Sequence, residues 1–174
     1  MRLGLVLAVA SPIIFSTGHG VGARPPAKQV THTVRPCPTG ATRRGTAFPR
    51  GRSVWCEEAG VHHGPYAMWY ANGQLMRRGF TDHGVLQGKQ VSWYANGQMA
   101  DRVYYVGGVP AGRWRRWHPD GAVASVREFR GGQPHGLVRR WHRDGSLAYV
   151  ARYRWGELVS ETDFDQPPPA DNER

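Results

Sequence analysis

An aromatic pair followed by a turn dipeptide recurs four times along the chain at a constant spacing of 24 residues. The copies begin at Trp69, Trp93, Trp117 and Trp141, and each tryptophan is followed by Tyr or His and then by Asn-Gly or Asp-Gly. A fixed period of about 20 to 50 residues is typical of repeat proteins, in which each unit packs only against its neighbours. We therefore expect an array of similar units and not a domain built around one central core.

Each unit carries two turn signals, which predict two strands. The first is the dipeptide Asn72-Gly73, Asn96-Gly97, Asp120-Gly121 or Asp144-Gly145. The second is a Gly-x-x-x-Gly link such as Gly84 to Gly88. Asx-Gly between apolar residues predicts a two-residue type I′ hairpin turn, in which both central residues have positive φ. The predicted fold is all-β: an elongated antiparallel meander of four tandem 24-residue β-hairpin repeats in a single curled sheet.

A two-residue turn also predicts the cross-strand pairs: residue 69 faces 76, 70 faces 75, and 64 faces 81. The tryptophans would face Met76, Ala100, Ala124 and Ala148, and Tyr70, Tyr94, His118 and His142 would face Leu75, Met99, Val123 and Leu147. Tyr105, Phe129 and Tyr153 would each cover a glycine, at 88, 112 and 136. The first unit has Thr81 in this column, with Phe80 beside it, and we expect a local bulge there.

The segments outside the repeats differ in composition. Residues 1–23 combine a positive start, an apolar run and small residues up to Ala23, which is typical of a secretory signal peptide cleaved near Ala23. Residues 24–35 are predicted to be a flexible linker, 36–59 an N-terminal cap, 60–160 the repeat array and 161–174 a disordered tail. The apolar run is shorter than the roughly 20 residues that span a bilayer. The protein is therefore expected to be exported, to the periplasm or the medium.

Two cysteines, Cys37 and Cys56, lie in the predicted cap. An oxidising compartment would let them pair, so we expect a disulfide that ties the cap together.

Residues 60–160 resemble MORN repeats, and more closely the bacterial variant of that repeat, in their aromatic pair, Asx-Gly turn, strand ending in an aromatic and glycine-bounded link. The resemblance implies a half-pipe-like sheet that serves as a scaffold for protein contacts, for dimerisation or for association with acidic phospholipids. Some bacterial members are grouped as antitoxins. Export argues against that role toward a cytoplasmic toxin and leaves open an immunity role toward a toxin of the envelope.

No catalytic motif accompanies the repeats, so we expect neither enzymatic activity nor a cofactor. No metal site is expected either. His118 and His142 occupy one column, but strands two apart are separated by about 9.6 Å, too far for one ion.

The formal net charge of +10 favours anionic partners. Arg115 and Arg139 share a predicted strand face with the tryptophan column, while Arg116 and Arg140 point to the other face. The candidate binding surface is Trp69, Trp93, Trp117, Trp141, Arg115 and Arg139. An alternative is that these arginines simply stack on the tryptophans within the fold.

The expected function is a non-enzymatic, exported scaffold or binding module for a protein or cell-envelope component, with homo-oligomerisation left open. The alternatives are an antitoxin or immunity protein that binds a toxin directly, and a binder of anionic lipid or cell-wall polymer. Nucleic acid is the least expected anion for an exported chain.

Overall fold

The computed structural model describes residues 34–165. The predicted signal peptide, linker residues 24–33 and tail residues 166–174 lie outside the described residues. Within the described range, thirteen β-strands form one open antiparallel sheet, as the repeat pattern predicts. No helix long and apolar enough to cross a membrane occurs among residues 34–165.

The strands follow the chain in order. They are β1 Thr42–Thr46, β2 Ser53–Glu58, β3 Val61–His62, β4 Gly64–Trp69, β5 Leu75–Asp82, β6 Val85–Trp93, β7 Met99–Val106, β8 Val109–Trp117, β9 Val123–Arg130, β10 Gln133–Pro134, β11 Gly136–Trp141, β12 Leu147–Arg154 and β13 Glu157–Asp163. Sequential strands are neighbours throughout, except that the short β3 and β10 pair only with β2 and β9. The hairpins β4–β5, β6–β7, β8–β9 and β11–β12 are the four repeats.

The hairpin turn is not the predicted type I′ turn. In the first unit the Gly73 amide donates to the Tyr70 carbonyl at 3.0 Å and the Tyr70 amide donates to the Gln74 carbonyl at 2.9 Å. Gly73 has φ +83°, whereas Asn72 does not have positive φ. This is a type I turn followed by a left-handed glycine, the three-residue loop of hairpins.

The longer loop changes the pairing next to it. A register shift follows residue 68, so Trp69 faces Leu75 and not Met76, although Gly64 still faces Thr81 as predicted. The other tryptophans of the column likewise face Met99, Val123 and Leu147. The prediction that Tyr70, Tyr94, His118 and His142 occupy those positions was therefore wrong.

Three of these four residues instead reach the next unit, whereas His142, in the last unit, has its Nε2 2.8 Å from Asp165 Oδ1. The Tyr70 and Tyr94 hydroxyls donate to the Trp93 and Trp117 carbonyls at 2.9 and 2.8 Å. His118 Nε2 lies 2.9 Å from the Trp141 carbonyl in the same way. In the first three units the aromatic after the tryptophan therefore bonds one repeat to the next, and in the third unit His118 replaces tyrosine in that role.

The glycine column pairs as predicted, since Gly88 faces Tyr105, Gly112 faces Phe129 and Gly136 faces Tyr153. The aromatics do not cover these glycines, however. A Cβ at Gly88 or Gly112 would meet no atom within 4 Å. Glycine is instead favoured there by φ values of +73° and +69°, which other residues adopt at a cost.

The bulge predicted beside Phe80 occurs as a register shift between Arg78 and Phe80 against β6. An equivalent shift lies between Arg102 and Tyr104 in the next unit. It is therefore a feature of the repeat and not of the first unit.

The N-terminal part of the sheet contains the predicted disulfide, Cys37–Cys56, which is confirmed. Val54, Ala67, Trp69 and Leu75 form a buried cluster beside it. Val34, assigned to the flexible linker, packs against this cluster.

At the other end, β13 continues to Asp163, three residues beyond the predicted end of the array at residue 160.

Candidate binding surface

The strand pairing sorts the side chains onto two faces, because cross-strand partners and residues two apart point the same way. The Trp-column face carries Trp93, Arg102, Arg115, Trp117, Arg139 and Trp141. The Trp114 face carries Trp114, Arg116, Ser125, Arg127, Arg140 and Tyr149. Ser125 faces both Arg116 and Arg140, and Val126 faces both Arg115 and Arg139, which separates the two arginine pairs as the sequence predicts.

The residues proposed from the sequence lie on the Trp-column face, but they are not equally accessible. Trp69 is buried in the N-terminal cluster, while Trp93, Trp117 and Trp141 are half-buried. The Arg102 and Arg115 guanidinium carbons lie 6.0 and 5.9 Å from the Trp117 ring centroid. Stacking within the fold therefore occupies Arg115, whereas Arg139 is exposed.

A groove also opens on this face near its N-terminal end, with a volume of about 430 Å³. Arg35, Arg78 and Lys89 contribute to its wall, and no acidic residue does. The Arg78 guanidinium carbon lies 5.4 Å from the Trp93 ring centroid. The groove is thus basic, and one of its cations, Arg78, is already stacked on Trp93.

The Trp114 face carries a second group of cations, Arg116, Arg127 and Arg140, on three successive strands of the path. Small or apolar residues between them, such as Ser125, Val138 and Ala151, are buried beneath the long side chains. Within residues 34–165, none of the three arginines forms an ion pair. The Arg140 guanidinium carbon lies 4.7 Å from the Tyr149 ring centroid.

Arg127 is in the least favourable environment for a cation. Burial lowers its pKa, and the positive charges of Arg140 and Arg116 lower it further. Its Nε is buried without a hydrogen-bond partner in the described structure, and so is Nε1 of Trp114, the residue that faces it. On the Trp-column face, Nε of Arg115 is likewise buried without a partner in the described structure, so the Trp114 face is distinguished by having two such donors side by side. An unpaired buried donor costs about 1–3 kcal/mol, so this face is poised to gain from an acceptor or an anion.

The cation cluster belongs to the second half of the array. The positions of Arg116 and Arg127 are occupied by Ser92 and Val103 one unit earlier. Sequence analysis placed Arg116 and Arg140 on this face but did not include Arg127. The sequence does contain an indication of it: Arg127 is charged, whereas the equivalent positions of the other three units are Gly79, Val103 and Ala151.

The turn residues act structurally. Asn72 Oδ1 accepts from the Gln74 amide at 3.1 Å, and its Nδ2 donates to the Ala95 carbonyl of the next unit at 2.8 Å. Asn96 repeats both contacts. Asp120 and Asp144 keep the turn contact, and a hydrogen bond from Ser146 holds the pKa of Asp144 below its usual range.

Comparison with known proteins identifies the repeat. Residues 86–106 match the family model of the MORN repeat variant, and this span covers most of the hairpin β6–β7. No curated protein matches the chain. Among solved structures, one similar chain is from the Glycosylation Associate Protein (Gap123) complex from Streptococcus agalactiae, at 18% identity and a TM-score of 0.35. The similarity covers 64% of this chain and 20% of that one, so the present chain spans about one fifth of that neighbour's length. The match at residues 86–106 supports a MORN-repeat protein, and the matched hairpin recurs at the same period on both sides.

Proposed function

We propose that the chain is an exported, non-enzymatic binding module that takes an anionic partner on its Trp114 face. The MORN repeat itself suggests a repeat binding or scaffold module. The observation that carries the finer proposal is the cluster of Arg116, Arg127 and Arg140, which share one face and form no ion pair among the described residues, although Asp101 is the cross-strand partner of Arg116.

The chemistry of the partner follows from these groups. Guanidinium groups bind carboxylates and phosphates through paired hydrogen bonds, and Arg127 Nε lacks an acceptor. An anion seated there would satisfy Arg127 and reduce the repulsion among the three cations. Binding energy would thus come partly from relief of an unfavourable arrangement in the free protein.

The spacing of the cluster favours a partner with more than one negative group. Arg116, Arg127 and Arg140 lie on β8, β9 and β11, so they span two strand steps, or roughly 10 Å. An acidic protein segment or an anionic polymer can place charges over such a distance, whereas a single small anion cannot. Trp114 and Tyr149 beside the arginines add aromatic surface for contact.

Export is part of this proposal. The Cys37–Cys56 disulfide is compatible with an oxidising compartment, and the apolar N-terminal run is typical of a signal peptide. The partner is therefore sought among envelope or extracellular components.

The test is affinity capture from envelope extract with two charge-matched variants. R116Q/R127Q/R140Q changes the Trp114 face, and R102Q/R115Q/R139Q changes the Trp-column face; each removes three positive charges from a formal net charge of +10. We expect the captured partner to be lost with the first variant and retained with the second. Equal capture by both variants would refute the assignment of the face.

A second candidate function, binding to an anionic membrane surface, is favoured by the same cluster. Vesicles of phosphatidylglycerol should then co-sediment the protein at low salt, with binding falling steeply as ionic strength rises, and phosphatidylcholine vesicles should not. Salt-independent binding to both lipids would argue against this candidate.

A further inference from the structure

Two histidines and a glutamate from three separate segments meet beside the first link of the array. Glu58 ends β2, His63 immediately precedes β4, and His83 lies in the turn after β5. One potential ligand atom from each lies within 4.8 Å of the other two. Nε2 of both rings approaches Oε2 of Glu58 at 3.8 Å, and the two ring centroids are 4.3 Å apart.

A second carboxylate, Asp82, lies at the other nitrogen of both rings. Its Oδ1 is 2.7 Å from Nδ1 of His83 and 3.2 Å from Nδ1 of His63. A carboxylate that accepts a proton from Nδ1 leaves Nε2 unprotonated and able to bind a metal ion, and metal-binding histidines commonly have such a partner. Asp82 therefore favours the His83 tautomer that directs its Nε2 lone pair toward Glu58. Nδ1 of His63 instead accepts from the His83 amide at 3.3 Å, so His63 would have to release the proton of Nε2 to bind a metal ion there.

The fourth link of the array, Gly132 to Gly136, shows which contacts belong to the repeat itself. His135 and Trp155 lie three units after His63 and His83. The Trp155 amide donates to His135 Nδ1 at 3.4 Å, as the His83 amide donates to His63 Nδ1 at 3.3 Å. This backbone contact recurs without the acidic residues, so it does not explain them.

The same comparison isolates the acids. At the positions of Glu58 and Asp82 the fourth link has Arg130 and Arg154, and the Arg130 guanidinium carbon lies 5.4 Å from the Trp155 ring centroid. The equivalent place three units later is thus cationic and aromatic. The repeat fold therefore does not require two carboxylates and a second imidazole at this position. They occur together at the first link because its sequence differs from that of the later unit.

We propose that Glu58, His63 and His83 bind a divalent transition-metal ion, with zinc as the best match, and that Asp82 orients the imidazole of His83. Two imidazoles and one carboxylate form a ligand set that suits zinc. Tetrahedral bonds of about 2.0–2.2 Å place zinc ligands about 3.3–3.5 Å apart. The two 3.8 Å separations need to shorten by a few tenths of an ångström, and the separation between the two imidazole nitrogens, which is bounded only at 4.8 Å, by up to about 1.5 Å. His83, whose side chain is 69% exposed, has room to move.

The site would connect parts of the chain that are distant in sequence. Zinc at this position ties the end of β2 to the first link and to the turn after β5. Cys56, which carries the disulfide, is two residues before Glu58, so the ion would add a second tie between the predicted cap and the first repeat. Three protein ligands also leave one position of zinc for water or for a partner's side chain.

The test is calorimetric titration of the full chain, disulfide intact, with zinc, using replacements that the repeats themselves supply. H63Q keeps a backbone acceptor, because Gln87 Oε1 accepts from the Gly107 amide at 2.8 Å at the same place in the next unit. H83G replaces His83, which has φ +45°, with glycine, the residue that occupies the same position in the next two units as Gly107 and Gly131. We expect the wild type to bind one zinc ion and each variant to bind at least tenfold more weakly.

The control is H135Q, the same change at the fourth link, which should leave zinc affinity unaltered. Zinc should also raise the melting temperature of the wild type and of H135Q but not that of H63Q or H83G, with melting in the absence of zinc reporting that each variant is folded. No zinc binding by the wild type, unchanged affinity in H63Q and H83G, or an equal loss in H135Q would each overturn the proposal.

Discussion

At the residue scale, the two aromatics of the recurring pair make different contacts, one within a hairpin and one between hairpins. Each tryptophan packs on the sheet across from an apolar residue of its own hairpin, as Trp93 does with Met99. In the first three units the following tyrosine or histidine bonds to the next hairpin, as Tyr94 does with the Trp117 carbonyl. The sequence shows that both positions recur, but the second role depends on the geometry between units and could not be inferred from pairing within one unit.

Replacing Tyr94 with phenylalanine should weaken the contact between the second and third repeats. The variant keeps the ring and removes the hydroxyl that donates to the Trp117 carbonyl at 2.8 Å. We expect a loss of about 1 kcal/mol in the free energy of unfolding, or a fall of about 2–4 °C in melting temperature for a chain of this size. Tyr104→Phe is the control, since that side chain is 51% exposed, and comparable losses in both would contradict the assigned role.

Gly79 is a residue whose importance lies in a close contact and not in its φ angle. A Cβ there would lie 1.7 Å from Gln90 Oε1. Gln90 is buried, accepts from the Tyr66 hydroxyl at 2.5 Å and donates to the Phe80 carbonyl at 3.1 Å. Burial raises the pKa of Tyr66, which keeps this phenol protonated as the donor.

G79A should therefore displace Gln90 and cost about 2 kcal/mol in urea unfolding, through the loss of buried hydrogen bonds. In a Q90A background the same change should cost under about 0.5 kcal/mol, because the obstructing group is gone. Gly88→Ala serves as comparison, since its cost of about 1 kcal/mol comes from the backbone alone and should not depend on Gln90. An equal cost of G79A in both backgrounds would refute the contact.

At the scale of elements, the sequence predicts the hairpins well and the details of their turns less well. The 24-residue period and two turn signals per unit suffice for strand number, order and the Gly64–Thr81 register. Asn-Gly is compatible with both a type I′ turn and a type I turn followed by left-handed glycine. Here the Asn72 side chain bonds to the Gln74 amide and to Ala95 of the next unit, so contacts between repeats accompany the longer loop.

The candidate sites were harder to predict for a related reason. Strand alternation alone separates Arg116 and Arg140 from Arg115 and Arg139. Register shifts at the links decide which side chains of successive hairpins meet, and the sequence does not show them. The cluster around His63 was therefore not predicted. Arg127 faces Trp114 in the predicted hairpin register, so its face follows from the pairing, but the predicted surface was built on the tryptophan column and did not include it.

The disulfide should contribute measurably to the stability of the first strands. Cys37 and Cys56 are 19 residues apart, and closing a loop of this length is worth about 3 kcal/mol on the chain-entropy estimate. Reduction should lower the urea midpoint, and C37A/C56A should match the reduced wild type. A midpoint that does not change on reduction would show that the bond does not stabilise the sheet.

At the scale of the whole molecule, one regular sheet carries two chemically different halves. The first half has the buried apolar cluster, the disulfide and the His63 site, while the second half has the arginines of the Trp114 face. The residues that recur in every unit build the sheet. The residues that differ between units, such as Arg127 against Val103, supply the proposed specificity.

This division predicts opposite effects of two kinds of substitution. Changes at recurring positions should lower stability and leave binding by the folded protein intact. Changes at Arg116, Arg127 and Arg140 should lower binding without lowering stability, because they remove mutually repelling cations, one of them with an unpaired buried Nε.

The most direct test is to measure affinity for dextran sulfate, used as a soluble polyanion, together with the melting temperature of the same samples. R116Q/R127Q/R140Q should bind at least tenfold more weakly than the wild type, a loss of about 1.4 kcal/mol or more, and melt no lower. R102Q/R115Q/R139Q, with the same net charge, should lose less than about threefold, because screening leaves mainly local contacts at about 0.1 M salt. Equal losses of affinity in the two variants would contradict the account, since binding would then follow net charge and not the Trp114 face.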